Sequence, residues 1–183
     1  EGFAAEMAYQ GAHIAREAAD EAAALAASIG MERKVWVAGS IGPTSKSLSL
    51  SPEVSDPAFR VYSFDQMKEA YLEQVDALVR GGVDVILIET CFDALNVKAA
   101  LAAVQECCRE RLMATPAPSQ TSWAPPPTRG CENAGSAFQS SPLTHSPNIP
   151  VIISVSVGDR SGRTLTGQTL EAFYTAVSHY PIL

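Results

Sequence analysis

Val83-Asp84-Val85-Ile86-Leu87-Ile88-Glu89 is the stretch whose reading decides the fold. Its aliphatic residues are mostly β-branched, Gly81-Gly82 punctuates it on one side, and it is too short for an ordinary helix, so it reads as a strand. It is apolar until it finishes on a carboxylate. Upstream, Ser63 stands three residues before Gln66, a capping-box spacing, and Phe64, Met67, Tyr71, Val75, Leu78 and Val79 recur at the helical period. Downstream, Asp93 is a plausible N-cap for a helix whose stripe is Val97, Leu101, Val104, Cys108 and Leu112. Further out, Val35-Trp36-Val37-Ala38-Gly39 reads as a strand buried on both faces, and Val151 to Val157 as a third strand. A first helix carries Met7, Ile14, Ala18, Ala22, Leu25 and Ile29 as its buried face, with Gly30 closing it. Thr166 is placed to cap a last helix bearing Leu170, Phe173 and Val177. Apolar strands alternating with amphipathic helices predict parallel pairing through right-handed crossovers, hence an α/β chain.

Composition narrows the class. Of 183 residues, 46% are hydrophobic and 18% charged, enough apolar surface to order a globular domain. No apolar run approaches the roughly 20 residues of a membrane helix, and no basic-then-apolar leader opens the chain. The 13 Lys and Arg are outnumbered by 20 Asp and Glu, for a net charge of -7, which argues against a broad nucleic-acid surface. Four cysteines, two of them adjacent, do not space like a secreted disulfide framework, so reduced thiols and a cytoplasmic setting are expected. Residues 113–150 differ from the rest: they hold eight of the 12 prolines and almost no charge, and are expected to be a disordered insertion or an artefact of how the sequence was assembled. The fold is thus expected to occupy 1–112 and 151–183. A chain that opens with Glu1 already in a helical pattern reads as a piece of something longer.

In parallel α/β folds, ligands bind where strands run out into loops. Glu89 is the most informative residue there, placed either to meet a cationic ligand group or to make a structural hydrogen bond to a neighbouring loop. Ala38 to Thr44 reads as a tight turn; as an anion cradle it lacks a P-loop lysine and the three glycines of a dinucleotide site. Arg163, in Ser161 to Gln168, has the chemistry to hold a carboxylate, and a solvated turn explains it equally. Cys107 and Cys108 point about 100° apart on a helix with no further ligand one turn away, so they make no closed metal site. His13, His145 and His179 are scattered, without metal spacing or an adjacent acid.

Several of these segments together resemble the homocysteine-binding domain of cobalamin-dependent methionine synthase. They are Val37 to Thr44, Leu50-Ser51-Pro52-Glu53-Val54 with Asp56 to Arg60, Gly81 to Asp84 leading into Leu87-Ile88-Glu89-Thr90, then Phe92-Asp93, Leu95-Asn96 and Ser161 to Thr169. The resemblance runs from Ala4 to His179, apart from the Pro-rich stretch. It implies a partial (β/α)8 TIM barrel, of which this chain supplies about three central strands. It further implies that zinc, held by three cysteine thiolates, binds the homocysteine sulfur as a thiolate, while cobalamin and methyltetrahydrofolate act through other modules of the full enzyme. Glu89 matches the family glutamate that recognises the amino-acid end of homocysteine. The zinc cysteines are expected C-terminal to residue 183, so no catalytic or metal-binding residue is assigned here, and the isolated piece is expected to be inactive. Other readings are a relative on the same barrel that takes its methyl group from betaine or S-methylmethionine, and a truncated, non-catalytic binding protein.

Overall fold

The computed structural model describes residues 2–114, 148–158 and 160–180. Its elements run α1 (Gly2–Ser28), β1 (Ala38–Ile41), α2 (Phe64–Arg80), β2 (Val85–Cys91), α3 (Ala94–Ala114), β3 (Val151–Val155) and α4 (Leu170–Val177). The strands form one parallel sheet in the order β1-β2-β3, with Ala38 opposite Val85 and Leu87 opposite Ile152. This is an α/β architecture with the helices flanking a three-stranded arc, part of a TIM barrel. Because side chains alternate along a strand, the sheet has two unlike faces. Gly39, Ile41, Ile86, Ile88 and Val151 are buried on the helix side, whereas Ala38, Ser40, Ile152 and Ser154 are exposed on the other. Of the expected Pro-rich insertion, 115–147 lies outside the described residues. Around it, α3 continues to Ala114, Ile149 is buried, and the Pro150 carbonyl accepts from the Ile86 amide at 3.0 Å.

The helix caps follow local chemistry. Ser63 accepts from the Gln66 amide and Gln66 returns a bond to the Ser63 amide, closing the capping box that opens α2. On α2, Met67, Tyr71, Val75, Leu78 and Val79 are buried as their spacing predicts. On α3, Val97, Leu101 and Val104 are buried, but Leu112 is exposed. Lys68 and Glu106 join the two helices at 2.8 Å. The last helix is capped by Thr169, not Thr166: the Thr169 hydroxyl accepts from the Ala172 amide.

Two further expectations are corrected. In α1 the buried positions are Ala12, Ala19 and Ala26, while Met7, Ile14 and Leu25 are exposed, as is Ile29 just after the helix. The reason is close approach. A Cβ at Gly81 would stand 2.5 Å from the Ala12 Cβ and 2.6 Å from the Tyr9 carbonyl oxygen, so only small residues fit between α1 and the end of α2. The half-buried guanidinium of Arg16 fastens the contact, meeting Asp84 at 2.8 Å and Asp20 at 2.9 Å. The first strand begins three residues later than the apolar run suggests, and Trp36 is 61% exposed. Val37 is held by Asp84, whose carboxylate accepts its amide at 2.7 Å, and the strand ladder starts only at Ala38. It is buried on one face, not on both.

Candidate functional site

The C-terminal ends of β1, β2 and β3 lie side by side, and the loops that follow them build the candidate site. Its centre is a bulge. From Ile88 to Cys91 the second strand advances three residues while β3, from Ile153 to Val155, advances two, so β2 carries one extra residue. Thr90 absorbs it with φ of 57°, the one non-glycine residue with positive φ among those described. A β-branched residue is strained there, at a cost on the order of 1–3 kcal/mol. The consequence is geometric: Cys91 drops back to the helix side, 4% exposed, leaving Thr90 exposed and Glu89 half-buried on the open side.

The sequence reading ended the second strand on Glu89, but β2 begins at Val85 and continues past Glu89 to Cys91, so the carboxylate stands two residues before the strand's end. The Ser40 hydroxyl donates to its Oε1 at 2.5 Å, an exposed bond from the neighbouring strand. Among the described residues no hydrogen bond engages Oε2, so one edge of the carboxylate is anchored and the other presented. The structural alternative for Glu89 is thus realised on one oxygen, by a strand and not by a loop. The Ser40 partnership is missed by a reading that ends the first strand at Gly39; the alternation of Ala38 and Ser40 with Gly39 and Ile41 is the signal that reveals it.

Behind Glu89 the loops are bound to one another. Asp93, 2% exposed, accepts from the Leu95 amide at 2.9 Å as the N-cap of α3. The same carboxylate accepts from the Ser47 hydroxyl and from the amide and hydroxyl of Ser49, at 3.0 and 2.6 Å. Burial pushes the Asp93 carboxyl up, but these donors outweigh it and hold the group below the ordinary carboxylate value. Asn96, 4% exposed, accepts from the Leu48 amide at 2.9 Å and donates to the Lys46 carbonyl at 2.8 Å. Arg60 gathers the same segment from within, donating to the carbonyls of Leu48, Ser49, Pro57 and Phe59. On the other flank, Thr166 donates to the Phe92 carbonyl at 2.9 Å, and the Ser156 amide to the Cys91 carbonyl at 2.8 Å. Arg163 is spent on its own turn, donating to the Gly167 carbonyl at 2.8 Å.

The cysteines stand apart from this arrangement. Burial, and then the Glu89 charge, push the Cys91 thiol up to about 12, so it is protonated near neutral pH. Burial raises Cys107 as well, although Arg111 opposes it. Cys108 is half-buried on α3, and Cys131 lies outside the described residues. No group of three or more His, Cys, Asp or Glu side chains able to hold a metal occurs among the described residues. Zinc, which the family resemblance implies, therefore does not fit the donors at these strand ends. His13 stacks on Tyr9 and His179 packs beside Tyr180, while His145 lies outside the described residues. No described helix is long and apolar enough to cross a membrane. The family model described as homocysteine S-methyltransferase matches residues 2–183.

Proposed function

Because this chain belongs to the homocysteine S-methyltransferase family, for which methyl transfer to homocysteine is the reaction, we propose that Glu89 receives the substrate's α-ammonium group. The observation that carries this is the half-buried carboxylate, with Oε1 engaged by Ser40 and no hydrogen bond on Oε2 among the described residues. An ammonium donates strongly to such an oxygen, and a charge-assisted bond of this kind contributes about 1.5–3 kcal/mol. Anchoring the amino-acid end fixes where the sulfur points. Ser40 keeps the carboxylate from rotating, so less freedom is lost when substrate arrives.

We further infer that the chain is the central part of the homocysteine-binding barrel of a cobalamin-dependent methionine synthase. Ser51-Pro52-Glu53-Val54 and Leu95-Asn96 support this reading over a betaine or S-methylmethionine enzyme. On it, zinc would activate the homocysteine sulfur from ligands outside this chain, and cobalamin and methyltetrahydrofolate would act through other modules. No step of the chemistry is assigned to the cysteines described here: Cys91 and Cys107 are buried thiols, and Cys108 is half-buried on α3.

Two measurements test these readings. In the active enzyme, Glu89→Gln should raise the homocysteine dissociation constant about tenfold or more while leaving metal content unchanged. Equal homocysteine affinity would remove Glu89 from the site. Supplying methylcobalamin, betaine and S-methylmethionine in turn identifies the donor, and turnover with either of the last two alone would overturn the methionine synthase reading.

A further inference from the structure

The turn from Cys91 to Asp93 does more than end a strand. It receives the β1–α2 loop on one side, through the Asp93 carboxylate, and the β3–α4 loop on the other, through the Phe92 and Cys91 carbonyls. Asn96, one helical turn on, adds the Leu48 amide and the Lys46 carbonyl. An N-cap needs only one acceptor for one amide, and the Leu95 bond meets that need. The three further donors on Asp93 are therefore beyond what α3 requires. They come from a segment 44 to 46 residues earlier in the chain.

That segment is gathered within itself by Arg60, while its ties to α3 run through Asp93 and Asn96. Between β1 and α2 it has no helix or strand, and Leu50, Val54 and Phe59 are exposed, Val54 at 99%. Leu48 is its buried anchor, at 5%. The amides of Leu48 and Ser49 go to Asn96 and Asp93, the second shared with the Ser47 hydroxyl, so these two side chains tie the anchor to α3 while Arg60 holds its carbonyls. The segment begins at Gly42 and follows Ser40 by two residues, so its placement bears on the group that orients Glu89.

We infer that Asp93, Asn96 and Thr166 are positioning residues, which touch no substrate but hold the two loops flanking Glu89 in the arrangement that binds the amino-acid end of homocysteine. The inference rests on the assignment of Glu89 given above. Small displacements of a binding group are costly, and here the cost falls on binding, because the three residues act before any bond is made or broken.

The test uses the active enzyme and the variants Asp93→Asn, Asn96→Leu and Thr166→Val, each close to the native side chain in shape. Hydrogen exchange without homocysteine reads the fastening directly. In Asp93→Asn and Asn96→Leu, the amides of Leu48 and Ser49 should exchange faster while those of β2 keep their protection. Steady-state kinetics should show the homocysteine KM raised about tenfold in Asp93→Asn with kcat changed less than about twofold, and a smaller rise in Thr166→Val. A homocysteine KM unmoved in Asp93→Asn, with Leu48 and Ser49 exchanging faster, would overturn the inference and leave the Glu89 assignment standing. Loss of protection throughout β2 would overturn it too, since Asp93 would then be a residue of the fold alone. A native enzyme that does not turn over homocysteine would instead overturn the function on which the inference rests.

Discussion

Asp93 shows how one side chain can serve the fold and the site together. Its carboxyl is held below the ordinary value of about 3.9, because four donors favour the ionised form more than burial disfavours it. The sign follows from linkage. A carboxyl whose folded pKa is depressed contributes stability that is fully present above its unfolded pKa and is lost as pH falls through the folded value. Between about pH 5 and about pH 3, the native chain should therefore lose more stability than the Asp93→Asn variant, which has no such proton to take up. Urea unfolding at the two pH values checks this, and parallel losses would show that other carboxylates govern acid sensitivity. The N-cap role of Asp93 is legible in the sequence, since an Asp before a periodic stripe has few other local uses. The bonds to Ser47 and Ser49 are not, because no local pattern relates residues 44 to 46 positions apart. Thr90 is opaque for a related reason: nothing in its type announces a left-handed conformation, which the register of β3 against β2 imposes.

At the scale of elements, α1 is the instructive case. Its large apolar residues recur at helical spacing, and spacing alone predicts that they are buried. The reverse holds, with Ala12, Ala19 and Ala26 against the protein and Met7, Ile14 and Leu25 exposed. Two stripes share this helix, and periodicity cannot say which one faces a neighbour that admits only small groups. Gly81 sets that constraint. Its φ of -72° suits any residue, so the glycine is needed for space, not conformation. Gly81→Ala should destabilise the chain by about 1–3 kcal/mol through overpacking against Ala12 and the Tyr9 carbonyl. Urea unfolding measures the effect, and a neutral result would mean that α1 shifts freely on α2. By contrast α2, with a capping box at one end, Gly81-Gly82 at the other and a single stripe between, is legible throughout, because each local signal agrees with the rest.

For the whole molecule, the described sheet has three strands with one face bare, and α1 turns an apolar stripe outward. In the 183-residue chain, Ile14→Glu and Leu25→Glu should change stability by less than about 0.5 kcal/mol each, since both side chains are more than half exposed. Sedimentation alongside denaturation checks the state of association, and a loss of several times that size would show the stripe covered in solution. The sequence by itself determined the α/β class, the alternation of elements, the placement of Glu89 on the second strand and the family. These rest on hydrophobic period, capping chemistry and motif order, all of which are local or sequential. Tertiary structure alone decided that Ser40 holds Glu89, that Thr90 takes up an extra residue, and that the Cys91–Asp93 turn binds the loops on either side. Those contacts join residues distant in sequence, and their partners are set by strand register and by how closely helices approach, quantities that exist only once the chain has packed.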